Sequence, residues 1–155
     1  MARSSKRARL KGRTEAGSFL ALPHAVMESD AFRGLSAHGL KLLIDLAAQY
    51  RGANNGDFSA AWTLMVKRGW KSRDTLGKAL RELLEVGLIE RTREGGRPNK
   101  GGNRICSLYG LTWLAIDDCD GKCTPTRVPS GLWRGKTPTR PPCQSNTPTV
   151  SIPEE

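Results

Sequence analysis

The stretch SRDTLGKALRELLEVGLIER, residues 72–91, changes its hydrophobic period partway along. Leu76, Ala79, Leu80, Leu83 and Leu84 recur at helical spacing and predict one inner stripe. Ser72 stands where an N-cap hydroxyl belongs, and Asp74 lies in the first turn, where a carboxylate meets the positive end of the helix dipole. Gly87 takes the C′ position that ends such a helix. Directly after it, Leu88-Ile89-Glu90-Arg91-Thr92-Arg93 reads as a strand. The side of the helix opposite the stripe carries Asp74, Gly77, Lys78 and Arg81, with Arg73 beside them.

Downstream, Arg104-Ile105-Cys106-Ser107-Leu108-Tyr109 reads as a second strand. The Gly-rich segment 94–103 between the two then predicts a hairpin tip, made basic by Arg97 and Lys100. Upstream, Gly69-Trp70-Lys71 breaks a shorter helix capped by Ser59, in which Trp62, Met65 and Val66 share a face. Phe58 begins a stub of strand, and Asn54-Asn55-Gly56-Asp57 is a turn by its chemistry. Ser36 caps the most secure helix, whose buried face is read as Leu40, Leu43, Ile44, Ala47 and Tyr50. Residues 24–32 suit a short helix, and Phe19 to Leu22, ended by Pro23, suits an extended entry segment.

The chain of 155 residues carries 25 Lys plus Arg against 15 Asp plus Glu, a net charge of +10. That length fits one domain. Hydrophobic content of 37% leaves no run long enough for a membrane span. No apolar segment follows the basic N-terminus, so a cytoplasmic setting is expected, with the four Cys as reduced thiols rather than a disulfide framework. Charge is uneven: residues 67–104 hold eleven basic and five acidic groups, and the rest of 18–119 holds three and six. One face is thus basic, the footprint of a nucleic-acid binder as opposed to a merely solvated surface. Residues 1–17 read as a disordered basic arm, and 120–155, with seven of the nine Pro, as a disordered Pro/Thr-rich tail. Residues 18–119 remain as the folding domain.

Helix, short strand, helix, tight turn, helix and cationic hairpin, over roughly residues 36–110, resembles a winged helix-turn-helix domain. More narrowly, Gly17 to Cys119 looks like small winged-helix proteins of bacterial phages, plasmids and integrated elements, with some likeness to replication initiators. The resemblance implies an α+β, mainly helical fold with a three-helix core plus a β-hairpin wing. It puts Lys71, Ser72, Arg73, Thr75, Lys78 and Arg81 on the DNA side of a recognition helix, and Arg93, Arg97, Lys100 and Arg104 in the wing. The physics agrees, since a helix fits the major groove and basic side chains reach base edges or backbone. Gly77 costs about 1 kcal/mol of helix propensity relative to Ala. Asp74 opposes phosphate unless it caps the helix or accepts from a cytosine amino group.

Other chemistry finds little support. Trp62, Trp70 and Trp113 are read as core or rim aromatics rather than stacking platforms, and His24 and His38 as surface or capping residues. Cys119 and Cys123 form a C-x3-C pair that would need the distant Cys106 and Cys143 to bind zinc, so no metal is expected. Gly135-Lys136-Thr137 lacks the first Gly of a phosphate-binding loop, and Pro138 blocks the helix that should follow. No paired carboxylates or nucleophile–base set stands in a catalytic context. The sequence therefore predicts a non-enzymatic binder of double-stranded DNA without cofactor, a transcription regulator or a replication factor of a mobile element. A winged-helix protein-interaction module is the rival, and a homodimer is left open.

Overall fold

The computed structural model describes residues 19–96 and 104–135. Its order is α+β: five helices among the described residues, then a two-stranded antiparallel sheet. The expected arm 1–17, Arg97, Lys100 and the segment beyond residue 135 lie outside the described residues.

The single helix expected over 24–32 is two, α1 (His24–Met27) and α2 (Asp30–Arg33). Ser29 divides them. Its hydroxyl donates to the Val26 carbonyl at 2.6 Å and accepts from Phe32 N–H at 3.2 Å, ending one helix and capping the next.

Helix α3 (Ala37–Ala47) starts at Ser36, whose Oγ accepts from Gly39 N–H at 3.0 Å. Its buried face is rotated from the one expected. Gly39, Leu42, Leu43, Leu46 and Ala47 point inward, while Leu40 and Ile44 are 39% and 43% exposed. Apolar residues surround this helix, so the hydrophobic period alone admits two phases. Asp45 helps decide between them, because its carboxylate turns inward to an indole and a lysine.

Helix α4 (Trp62–Lys67) begins at Ala61 without a side-chain cap, contrary to the role expected of Ser59. The Gln49 side-chain amide holds Ser59 on both sides, accepting from its N–H at 2.9 Å and donating to its carbonyl at 3.0 Å. Of the expected face Met65 is buried, Trp62 half-buried and Val66 exposed.

Helix α5 (Arg73–Glu85) follows the expected limits. Ser72 Oγ accepts from Thr75 N–H at 3.3 Å, and Leu76, Ala79 and Leu83 are buried, with Leu80 and Leu84 packed beside them. At its end Gly87 N–H donates to Leu84 O and Leu88 N–H to Leu83 O, a Schellman motif that requires the positive φ of Gly87 (72°). The same pair of bonds closes α4, through Gly69 and Trp70. The α4–α5 turn is thus fixed by backbone geometry at Gly69 and by the Ser72 side-chain cap at its other end.

Strands β1 (Ile89–Arg93) and β2 (Leu108–Leu111) pair antiparallel with Ile89 opposite Leu111 and an irregularity between Arg91 and Arg93. The second strand was expected at 104–109 and instead takes the fully buried run Leu108-Tyr109-Gly110-Leu111. Burial, not β propensity, selects it. Phe58 forms the expected stub, bridging to Tyr109.

Residue 119 is not where packing stops. Residues 120–135, expected as the start of a disordered tail, return over the body: Thr126 N–H donates to Ile116 O at 2.9 Å, Gly131 N–H to Thr112 O at 2.8 Å, and Trp133 enters the core at 7% exposure. One anchor side chain among Pro and Gly leaves no periodic signal to read. Asn55, part of the expected turn, is wholly buried; its amide donates to the carbonyls of Leu111, Leu114 and Ala115 and its Oδ1 accepts from Leu111 N–H. Those bonds tie the turn before α4 to the chain beyond β2.

Candidate nucleic-acid interface

The inner stripe of α5 holds that helix against α3 and leaves its opposite side to solvent. Lys71, Ser72, Arg73, Asp74, Lys78 and Arg81 are exposed, while Thr75 and Gly77 are half-buried. Five of the six residues proposed from the sequence are therefore exposed along α5 and the turn before it, with Thr75 half-buried, but several are already engaged. Ser72 Oγ is occupied as the cap. The Arg73 guanidinium lies 5.3 Å over the Trp62 ring, a cation–π contact that ties the start of α5 to α4. Arg81 Nε donates to Gly77 O at 3.3 Å. Lys78 Nζ pairs with Asp74 at 2.7 Å, and this neighbouring ammonium, first by its hydrogen bond and then by its charge, holds the Asp74 carboxyl below the usual carboxylate range.

Gly77 lies beside this pair, and its carbonyl is the one that accepts from Arg81. A Cβ built there would meet nothing within 4 Å, so no packing inside the protein calls for a glycine at this point.

A second cluster borders the turn and was not read from the sequence. Asp45, inside the apolar α3, accepts from Trp70 Nε1 at 2.8 Å and Lys41 Nζ at 2.7 Å and lies 3.5 Å from Arg68. Lys41 also donates to Arg68 O at 2.9 Å and stands 5.1 Å over the Trp70 ring. A charged residue buried in a stripe must have partners, and that rule was the available signal. His38, Lys41, Trp70, Lys71 and Thr75 line a hollow of about 200 Å³ at this corner. A larger hollow of about 600 Å³ brings Arg51, Lys67 and Arg68 to one rim together with the Asp57 carboxylate.

On the hairpin, Arg93 folds back on its own sheet, with Nε and Nη2 donating to Cys106 O at 3.3 and 3.1 Å. Arg104 is exposed. No hydrogen bond or ion pair among the described residues joins either of them to the α5 face.

Among the described residues no cysteine hydrogen-bonds to the α5 face. Cys119 is buried with Cys123 next to it, and burial foremost, then the Cys123 thiol and the carboxylates of Asp57 and Asp117, pushes its pKa up to about 12. Cys106 is exposed, and Cys143 lies outside the described residues. Among the described residues no group of three or more His, Cys, Asp or Glu is placed to hold a metal ion, and no helix is long and apolar enough to cross a membrane.

No protein-family model, curated protein or solved structure matches the chain.

Proposed function

We propose that the chain is a winged helix-turn-helix protein that binds double-stranded DNA with sequence preference, as a transcription regulator or a replication factor of a mobile element in the bacterial cytoplasm. Helix α5 enters the major groove, its N-terminal turns toward the bases, and the hairpin loop follows the neighbouring backbone. The observation that supports this most is the division of α5 into a buried Leu76, Ala79 and Leu83 stripe and an opposite side that exposes Arg73, Lys78 and Arg81. Lys41, Lys67, Arg68 and Lys71 add cations near the same corner, suited to phosphate. Duplex binding by the full chain should weaken linearly in log–log terms as salt rises, because each neutralised phosphate releases counterions.

A protein-docking reading has one observation in its favour. Leu40 and Ile44, one turn apart on α3, remain partly exposed. A partner or second copy seated there would leave α5 free, so alteration of Leu40 and Ile44 separates the readings: association would fall while duplex affinity stayed.

A further inference from the structure

We infer, independently of DNA binding, that Cys119 and Cys123 are a modification site: a dithiol that a small disulfide oxidant closes reversibly into an intramolecular disulfide. The local backbone brings the two thiols together. Lys122 N–H donates to Cys119 O at 3.0 Å, and the two residues between them, Asp120 and Gly121, both have positive φ, 52° and 71°. Positive φ at both central residues marks a type I′ turn, which reverses the chain in two residues and favours Asp-Gly. Cys123 therefore returns beside Cys119, within hydrogen-bond reach of its thiol. The surroundings hold this turn in place. Outside the pair, Ile116 N–H donates to Thr126 Oγ1 and Thr126 N–H to Ile116 O, both at 2.9 Å. Inside it, Lys122 Nζ pairs with Asp57 at 2.7 Å. Both sulfurs also lie against the turn before α4. Cys119 Sγ donates to Asn55 O at 3.7 Å, and Cys123 Sγ is 3.1 Å from the point where a Cβ on Gly56 would stand.

Access differs between the two sulfurs, and that sets the order of events. Cys119 is buried and held as a thiol, by burial first and then by the Cys123 thiol and the Asp57 and Asp117 carboxylates. Cys123 is only half-buried. Cys123 Sγ, as its thiolate, attacks the oxidant disulfide, forms a mixed disulfide and expels one thiolate. Cys119 Sγ, once deprotonated, then attacks Cys123 Sγ and expels the second thiolate. The two protons given up by the cysteines end on the two departing thiolates, and two electrons pass from the protein to the oxidant. Without an oxidant both cysteines remain thiols. Closure also leaves the buried turn intact, because Asn55 O still accepts from Asp117 N–H at 2.9 Å after the Cys119 proton is gone.

The test uses the full chain with Cys106→Ser and Cys143→Ser, which leaves only this pair, treated with oxidised glutathione and read by intact mass and peptide mapping. The folded parent should lose both thiols, become two hydrogens lighter, carry no glutathione and yield a fragment that links Cys119 to Cys123. Dithiothreitol should restore both thiols. Adding Cys119→Ser should trap glutathione on Cys123, whereas adding Cys123→Ser should leave Cys119 unmodified until the chain is unfolded in urea. Melting curves check that each variant is folded, and the parent alone decides the pairing. Retention of both thiols by the parent, arrest with glutathione on Cys123, or a disulfide that forms only in urea overturns the inference. Glutathione on Cys119 of the folded Cys123→Ser protein overturns the order of attack.

Discussion

Glu82 of α5 and Ser36 at the start of α3, 46 residues apart, complete a capping box between two helices. In the usual box the N3 residue of the same helix reaches back to the N-cap N–H. Here N3 is Gly39, which has no side chain, and Glu82 accepts from Ser36 N–H at 2.6 Å and from its hydroxyl at 2.5 Å. The absence of a Cβ at Gly39 makes room for that carboxylate. One residue thereby caps α3 and fixes its distance from the helix that carries the proposed interface.

Glu82→Ala should lower unfolding stability by about 1–3 kcal/mol, since it leaves a partly buried N–H without its acceptor. Gly39→Ala should act at the same place by displacing the carboxylate, so the double variant should lose less than the sum of the two. Denaturant unfolding checks this, and full additivity would separate the two residues.

Asp45 gathers Trp70, Lys41 and Arg68 at the turn into α5. Asp45→Ala should cost about 1–3 kcal/mol because it strands a buried indole N–H and removes a charge-assisted acceptor. Trp70→Phe, which removes the donor but keeps the ring, should cost less. An Asp45→Ala protein as stable as wild type would show that the cluster contributes nothing to holding the turn.

Much of α5 was legible because its signals agree: cap, dipole partner, stripe and glycine stop all name the same limits. α3 was legible as a helix but not in its phase, since Leu40, Leu42, Leu43, Ile44 and Leu46 surround it and only tertiary pairing of Asp45 and Glu82 distinguishes the sides. The register of β2 depends on what covers Leu108 to Leu111, and the packed segment through Trp133 on a single side chain. At the interface, charge on the outer face of α5 could be read from spacing. The contacts of Arg73 with Trp62, Lys78 with Asp74 and Arg93 with Cys106 O depend on side-chain geometry that spacing does not encode.

Because Trp133 lies in the core, the stable fragment should extend to about residue 135 rather than end at 119. Trp133→Ala should destabilise by about 3–5 kcal/mol, the range for a large buried aromatic. Limited proteolysis followed by mass measurement locates the boundary. A resistant fragment ending near 119, as stable as the whole chain, would mean that the returning segment is dispensable.

Cys119 should stay a thiol through neutral and mildly alkaline pH. Its folded pKa is raised to about 12 from the ordinary 9.0, so its contribution to stability is complete below pH 9 and is lost as pH rises toward 12. An alkylating reagent at pH 8 should label exposed Cys106 first and reach Cys119 only when the chain opens. Equal labelling rates in the folded protein would contradict this assignment.

Salt-titrated binding of the full chain to selected and random duplexes tests DNA recognition by α5 most directly, with Lys78→Ala and Arg81→Ala measured alongside a triple neutralisation of Arg97, Lys100 and Arg104. Log affinity should fall linearly with log salt. The two α5 variants should lose about 1–3 kcal/mol on the selected duplex, and the loop variant should flatten the slope by about 2–3 with preference intact. Binding that ignores salt, or α5 variants that keep both affinity and preference, would contradict it.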